Sequence, residues 1–506
     1  MSLQTSEKSH DGPLPCPCTP CCTFKNPEST AWAMDGSARA AVVISGIFLG
    51  TALLRCAKEE AGCQVEWNEA IDGNSSTVDT WVEPACNGKV WGFMRPSSLL
   101  AVMGIFTGLL AAFTMPVVGA VVDHTSYRWH IGAASAIAII VGNFFQVFVG
   151  VSTLGMVAIL QVLIGYIYLA HCVIMYAYMP ELTSDAQELA KIAATCNMWQ
   201  YSTQVIYLVF TIGASMAFGL GAVATAKMSQ VMVVVFGGLM FYYPWKYLFG
   251  GRPALHALPE DCSLLTVGFK KLKGTVLDLA LDYPAVLTMI GAVAFAEAGA
   301  NAFVTIAVTY TTEVLKMTSS ETGILIALCL VFAVPGSVIF KHVTHKIGPH
   351  KSYMASLAWW GVVTAVAPLF MAGPDQKNNA YIFGVFWGFG FGWLYPTQRV
   401  VYCLVIPGGQ ESELMGVYIF AGQILVWLPP AVFTVMNEKN INMAWGLMSD
   451  ASFFFAALAI VWFMDFEGAC EKAKATEGKR VCGVEATNDK LGDKGRAYSD
   501  VGDNHL

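Results

Sequence analysis

The sequence has 506 residues, of which 55% are hydrophobic and only 13% are charged, and its mean hydropathy is +0.54. Soluble globular chains carry about 25% charged residues, so this composition excludes an ordinary soluble protein and indicates an integral membrane protein. The net charge of −7 comes without a basic stripe, a zinc-spaced set of cysteines and histidines or a glycine-rich phosphate loop. We therefore predict no nucleic-acid partner, no metal site and no cofactor.

The N-terminal segment is polar and has no signal-peptide pattern. It contains the stretch "PCPCTPCC", with Cys16, Cys18, Cys21 and Cys22 crowded by prolines. We predict a disordered cytosolic tail over residues 1–30, whose cysteines either stay reduced or are acylated.

Apolar segments long enough to cross a bilayer, about 20 residues each, recur along most of the remaining chain. The first six lie near residues 38–55, 97–122, 131–151, 154–176, 193–219 and 229–249, and the second six lie near 285–310, 319–340, 353–371, 380–406, 414–436 and 443–464. This pattern predicts an all-α membrane protein with about 12 transmembrane helices in two six-helix bundles.

More polar stretches divide the chain between and after these bundles. We predict an N-terminal bundle over residues 31–249, a cytosolic linker over 250–284 and a C-terminal bundle over 285–465. The acidic, lysine-rich stretch from 466 to 506 is predicted to be a second disordered cytosolic tail. A monomer is the expected state of a membrane protein built from two such bundles.

The charges of the connections predict the orientation in the membrane. The stretches "DHTSYRWH", "KHVTHKIGPHK" and "FKKLKG" are basic, so we expect them to face the cytosol. The long loop 56–96 then lies on the lumenal or extracellular side, and it holds a predicted glycosylation site at Asn74. In the same loop Cys63 and Cys86 either form a disulfide or remain free thiols.

Glu297 lies near the middle of the seventh segment, which is otherwise apolar. A carboxylate at that depth costs about 2.5 to 3.5 kcal/mol even on insertion scales, so it should face a cavity, a partner or water. Asn301 and Thr305 follow it along one drifting face of the helix. We predict that Glu297 exchanges protons or recognises a solute ammonium, and that Asn301 lies beside it in the same site. The alternative is a structural carboxylate that is hydrogen-bonded to a neighbouring helix.

Arg399 lies in the tenth segment, within the stretch "GWLYPTQRVVYCLVIP". Its guanidinium, beside Tyr395, Gln398 and Tyr402, has the geometry to hold a solute carboxylate through two hydrogen bonds. Alternatively, the side chain extends to the cytosolic interface, about two helical turns away.

Three other segments carry polar residues. We predict that Arg39 is interfacial and paired with Asp35, and that His171 packs between helices rather than binding a ligand. The fifth segment has a polar face that includes Gln200 and Tyr201, which either lines the solute path or hydrogen-bonds to a neighbouring helix.

The stretch "GAVVDHTSYR" after the second segment is predicted to be a gating element, in which Gly119 permits close helix approach and Asp123 pairs with basic groups. It resembles the major facilitator signature G-x-x-x-D-R-x-G-R-R and keeps Gly119, Asp123 and Arg128. A second copy after the eighth segment keeps Lys346 and Gly348, with a histidine where an aspartate is usual. The resemblance implies transport by alternating access.

Further stretches resemble a branch of that superfamily, the autophagy-related vacuolar effluxers and their bacterial relatives. These are "AWAMDG", "MYAYMPELT" and "IPGGQESELMGVY", together with parts of the seventh and eleventh segments. The matching residues are Asp35, Ala177, Tyr178, Pro180, Glu181, Gly299, Pro407, Gly409, Glu411, Glu413, Gly416, Tyr418 and Gly422. In the family an aspartate usually precedes the glycine of the seventh helix, whereas here Ala298 does so and the carboxylate lies one residue earlier.

The resemblance implies export of small solutes, especially amino acids, from a vacuole or lysosome to the cytosol. In that interpretation protons are a second partner and the lipid bilayer surrounds the protein. Alternatives are transport of another small metabolite or drug, a location in the plasma membrane, and a receptor or scaffold that has lost transport.

Overall fold

The computed structural model of the protein describes residues 27–63, 88–178, 182, 186–251, 263–407 and 411–473. Nearly all of these residues are helical. The helices are α1 (Pro27–Glu60), α2 (Leu99–His124), α3 (Arg128–Gln146), α4 (Leu154–Tyr178), α5 (Ala186–Ala217), α6 (Ala222–Tyr243), α7 (Leu264–Asp282), α8 (Pro284–Glu313), α9 (Ser319–Ile347), α10 (Pro349–Phe370), α11 (Lys377–Val405), α12 (Glu411–Ile424), α13 (Leu428–Glu438) and α14 (Met443–Trp462).

Ten spans in the described part of the chain are long and apolar enough to cross a membrane, with residues from α12 and all of α13 forming one of them. Two further helices, α5 and α11, have 32 and 29 residues and are therefore long enough to span as well. With these two, the twelve predicted segments are present.

The structure corrects the predicted boundaries. The first helix begins at Pro27, inside the predicted tail, and the predicted linker contains the helix α7. Residues 466–473 are also helical, although we predicted disorder from 466 onward. The eleventh segment is broken between α12 and α13, because Pro429 and Pro430 cannot donate the backbone hydrogen bonds that would continue α12. The indole of Trp427 donates to the Ile424 carbonyl at 3.0 Å, which satisfies one acceptor at the break.

Glycines allow α9 and α11 to pack closely. Gly384, Gly388 and Gly392 recur every four residues on α11 and face α9, and a Cβ at Gly392 would lie 2.0 Å from the Ala333 carbonyl oxygen. Packing of small residues is what brings membrane helices together, since lipid provides no hydrophobic drive between them. The C-terminal bundle is therefore specified by this stripe as well as by its apolar core.

Two ends of the assembly are distinguished by their connections. We call the end that carries α7 and the connection 125–127 the linker face, and the end that carries the connections 218–221 and 314–318 the far face. Because consecutive membrane helices run in opposite directions, α1 and α8 both start at the linker face and end at the far face.

Polar contacts join the two bundles at the far face. Lys58 at the end of α1 forms an ion pair of 2.9 Å with Glu313 at the end of α8. Near the start of α2, the Ser98 hydroxyl donates to the Glu438 carboxylate of α13 at 2.7 Å. Each of these contacts links a residue before 250 with one after 285, so they hold the bundles together on this side.

Candidate functional site

Glu297 lies half-buried in α8 and is held by side chains of the C-terminal bundle. Its Oε1 accepts a hydrogen bond of 2.8 Å from Gln398 of α11. Its Oε2 accepts from Asn301 at 3.4 Å, and the same amide donates to the Glu297 backbone carbonyl at 2.8 Å. The predicted pairing of Glu297 with Asn301 on one face of the helix is therefore present.

The amide of Gln398 connects Glu297 to two tyrosines. Its Nε2 also donates to the Tyr418 hydroxyl at 2.8 Å, and its Oε1 accepts from the Tyr353 hydroxyl at 3.1 Å. Both protons of the amide nitrogen are used, and the tyrosine donor fixes which end of the amide faces Glu297. Four helices, α8, α10, α11 and α12, thus hold one carboxylate in place.

Arg399 points into the space between the bundles, not to the outer interface. It lies beside Tyr418 and within electrostatic reach of Glu297, and it also faces Tyr176 and Tyr201 of the N-terminal bundle. Its side chain is exposed while these groups lie around it, which indicates that the space between them is open. The site therefore offers a carboxylate and a guanidinium to the same space, the two charges that a zwitterionic solute complements.

The two other residues predicted at this site differ in their contacts. Tyr395 is half-buried and stacks on Phe391, and it lies close to Glu297 and Tyr201. Tyr402 is fully buried, and its hydroxyl donates to the Leu414 carbonyl at 2.5 Å. Tyr402 thus ties α11 to α12, and its predicted place among the solute contacts stays a prediction.

Two glycines of the family pattern make room at this site. A Cβ at Gly422 would lie 3.4 Å from the Cγ atom of Glu297, so the absence of a side chain leaves space for the carboxylate. A Cβ at Gly299 would lie 3.0 Å from the ring of Phe454, so this glycine lets α8 approach α14.

A second group of buried polar residues lies in the N-terminal bundle. Asp35 and Arg39 of α1 form an ion pair of 2.7 Å and are 0% and 2% exposed. The second oxygen of Asp35 accepts hydrogen bonds of 2.9 Å from His171 of α4 and from the indole of Trp245. The predicted pairing of Asp35 with Arg39 is confirmed, but the predicted interfacial position of Arg39 is wrong, because α4, α5 and α6 enclose it.

The predicted gating residues Asp123 and Arg128 lie on either side of the connection between α2 and α3. Arg128 is fully buried, donates to the Ala177 carbonyl at 3.4 Å and lies over the ring of Tyr178 at 5.5 Å. It therefore packs inside the N-terminal bundle against two residues of the "MYAYMPELT" stretch. Asp123 is half-buried at the linker-face end of α2. A Cβ at Gly119 would meet no described residue within 4 Å, so the close helix approach at this position stays a prediction.

At the matching position of the C-terminal bundle, Lys346 is exposed and Gly348 separates α9 from α10. Gly348 has a φ angle of 84°, in the left-handed region that favours glycine, so this residue is explained by the turn it makes.

Several predicted residues lie outside the described part of the chain. They are Asn74, Cys86, Pro180, Glu181 and Gly409, together with the side chains of Glu411 and Glu413. Cys63 is described and is disulfide-bonded, but its pairing with Cys86 stays a prediction. Pro407 is buried just after α11. A Cβ at Gly416 would meet no described residue within 4 Å, so the described part of the chain gives no packing reason for this glycine.

Comparison with known proteins identifies the chain. A family model described as "Vacuole effluxer Atg22 like" matches residues 25–474. The chain belongs to this family. The match extends from just before α1 to beyond α14, so it includes both the Glu297 site and the cluster around Asp35.

Curated relatives align over shorter stretches. The chain is 26% identical over 159 residues to "Autophagy-related protein 22" of Cryptococcus neoformans var. neoformans serotype D (strain B-3501A), which covers 28% of each protein. It is 23% identical over 162 residues to the protein of the same name from Eremothecium gossypii, covering 31% of each. The alignments thus span about three tenths of the length of these relatives.

Solved structures of similar fold are major facilitator transporters. A mutant of the nucleoside transporter NupG superposes with a TM-score of 0.56 at 11% identity, covering 87% of this chain and 100% of that one. The inward open conformation of the xylose transporter XylE from E. coli gives 0.57 at 12% identity, covering 88% and 98%. The predicted fold class is confirmed, and the protein is a multi-pass membrane protein with the major facilitator fold.

Proposed function

We propose that this protein is a secondary active transporter that moves amino acids from a vacuolar or lysosome-like lumen to the cytosol. The observation that carries the proposal is the placement of Glu297 and Arg399 around one space between the bundles. An amino acid presents an ammonium and a carboxylate, and each would meet a group of opposite charge there. The description of the family as vacuole effluxers supports the compartment and the direction.

Glu297 is also the proposed proton site. Its oxygens accept only from the neutral amides of Gln398 and Asn301 among the hydrogen bonds described. A carboxyl group at membrane depth that forms no ion pair readily gains and loses a proton when water reaches it. In this mechanism the bundles rock about the space between them, and Glu297 is exposed to each side in turn.

The test is uptake of a labelled amino-acid mixture into proteoliposomes, with and without an imposed pH gradient. We expect the gradient to drive accumulation by the natural protein. With Glu297→Gln, accumulation should fall to the level without a gradient, while exchange of solute across the membrane continues. Glutamine keeps the size and hydrogen-bonding capacity of the side chain but cannot carry the proton.

Asp450→Asn is the matched control, because it removes another buried carboxyl of the C-terminal bundle. Both Asp450 oxygens lack a hydrogen-bond partner among the described residues, and we expect this variant to transport normally. Equal gradient-driven uptake by the natural protein and Glu297→Gln would show that Glu297 is structural. Binding without exchange by folded natural protein would instead indicate a receptor, and exchange of other solutes only would indicate a different cargo.

A further inference from the structure

We propose that α7 lies in the membrane interface and binds anionic lipid headgroups at the linker face, with Lys270 and Lys273 as the contacting residues. This surface lies outside the solute site, and the proposal does not depend on the cargo. It rests on the side chains that α7 leaves exposed and on the place where it crosses α2.

One side of α7 packs on the protein. Val267 and Leu279 are buried, and Leu279 belongs to the apolar core of the C-terminal bundle. Gly268 lies against α2 of the N-terminal bundle, since a Cβ there would be 2.0 Å from the Pro116 carbonyl oxygen. The helix is therefore held against both bundles.

The opposite side of α7 is exposed and largely apolar. Leu265 and Leu281, near the two ends of the helix, are 67% and 81% exposed, and Phe269 and Leu277 between them are exposed as well. At about 100° per residue, these four side chains fall within an arc of about 160°. The outer face of a helix in water is normally polar, so large apolar side chains on this face indicate contact with a membrane surface.

Two lysines lie on the same arc of α7. Lys270 and Lys273 are exposed, and Lys273 has no ion pair or hydrogen bond among the described residues. The acidic residues of the helix, Asp278 and Asp282, fall outside the arc by the same count. The arc is therefore cationic as well as apolar.

The crossing point on α2 places this face at the edge of the membrane. Three exposed apolar residues of α2, Phe106, Leu110 and Phe113, recur every three or four positions and so form one lipid-facing stripe. Gly268 crosses α2 at Pro116, which is the next turn after Phe113 and about two turns before α2 ends. The outward face of α7 thus continues the stripe toward the headgroups.

A lipid fits this face better than a soluble anion does. A lysine can lay its aliphatic stem on apolar surface while its ammonium reaches the headgroup layer, and the leucines and Phe269 can contact the acyl chains. The linker face is the predicted cytosolic side, and the cytosolic leaflet is the one that carries anionic lipids. The ligand class is therefore an anionic phospholipid of that leaflet.

The first test measures lipid binding. The purified full-length protein in neutral detergent is titrated with phosphatidylserine, and the rise in melting temperature gives an apparent affinity. The double variant Lys270→Gln, Lys273→Gln should weaken this affinity by about fivefold for each lysine, which is the effect of losing one cation near an anionic surface. Phosphatidylcholine should give no such rise.

A charge-matched control separates this site from general electrostatics. The double variant Lys316→Gln, Lys439→Gln removes two exposed lysines from turns at the far face and should keep the natural affinity. Glycerophosphoserine, the same headgroup without acyl chains, should not raise the melting temperature. Equal loss of affinity in both double variants, or a rise with glycerophosphoserine alone, would overturn the proposal.

The second test locates the lipid on α7. In nanodiscs that contain phosphatidylserine, Phe269→benzoylphenylalanine should form photoadducts with lipid. Asp278→benzoylphenylalanine, at an exposed position of the same helix outside the arc, should form far fewer. Equal lipid adducts at the two positions, or adducts at Phe269 with another part of the protein, would show that the lipid does not bind this face.

Discussion

At the scale of single residues, the orientation of the Gln398 amide decides what Glu297 meets. The hydroxyl of Tyr353 donates to Oε1 of Gln398, and this leaves Nε2 to face Glu297 and Tyr418. Without that donor, the amide can turn and present an oxygen to the carboxylate. A tyrosine that touches no solute therefore positions the charged group of the site.

We predict that Tyr353→Phe weakens apparent solute affinity about tenfold, because losing one buried hydrogen bond costs about 1 to 3 kcal/mol. The matched control is Tyr310→Phe in the same bundle, where the buried hydroxyl donates to the Met371 carbonyl at 2.6 Å near the far face. Initial uptake rates over a range of solute concentrations give the affinity of each variant.

Both tyrosine variants should lower the thermal stability of the purified protein to a similar extent, because each removes the hydroxyl that donates to one buried acceptor. Only Tyr353→Phe should change the affinity. If the two variants change affinity equally, Tyr353 acts through general stability and does not orient Gln398.

The sequence predicted Asn301 but not Tyr353 at this site. The difference lies in how far each residue is from Glu297 along the chain. Asn301 follows Glu297 by one helical turn, so helix periodicity alone brings them together. Tyr353 lies on α10, and its role depends on how α10 packs against α11, which no local pattern encodes. The sequence predicts an interfacial Arg39 because the apolar run of its segment begins only near residue 38. The helix itself begins at Pro27, so Arg39 lies well inside it.

At the scale of helices, α7 shows how the linker is fixed to the bundle. It crosses α2 at Gly268, where a Cβ would lie 2.0 Å from the Pro116 carbonyl oxygen. The opposing atom is backbone, so it cannot move aside as a flexible side chain would. The sequence indicated only a polar, basic connection here, because the contact with α2 depends on one residue without a side chain.

We predict that Gly268→Ala lowers the melting temperature of the purified protein by several degrees, because α7 must move away from α2. Gly274→Ala in the same helix is the control, since a Cβ there would meet none of the described residues within 4 Å. That change should leave the melting temperature equal or higher, as alanine favours a helix over glycine by about 1 kcal/mol. A stable Gly268→Ala variant would mean that α7 does not pack against α2 in this way.

At the scale of the whole molecule, the two bundles are joined at the far face. The ion pair between Lys58 and Glu313 crosses from one bundle to the other, and both side chains are 13% exposed. In the proposed alternating-access mechanism such contacts break and reform in every cycle, so their strength would set the balance between the two conformations. The sequence did not predict this contact, because neither residue belongs to a signature motif.

We predict that Lys58→Glu places two carboxylates together and shifts the molecule toward a conformation with the far face open. Removing one partner of a half-buried pair costs about 2 kcal/mol or more, enough to change the populations more than tenfold. Spin labels on the far-face ends of α1 and α8 should report a longer distance in this variant. The double variant Lys58→Glu, Glu313→Lys restores opposite charges and should restore the short distance.

Lys377→Glu is the control for charge reversal on the same face, since Lys377 pairs with Glu321 at 2.8 Å within the C-terminal bundle. It should leave the distance between the bundles unchanged, because no contact between them is lost. If Lys377→Glu opens the far face as much as Lys58→Glu, the effect comes from surface charge in general. A double variant that stays open would show that the pair does not control the transition, and the hydrogen bond between Ser98 and Glu438 would be the next contact to test.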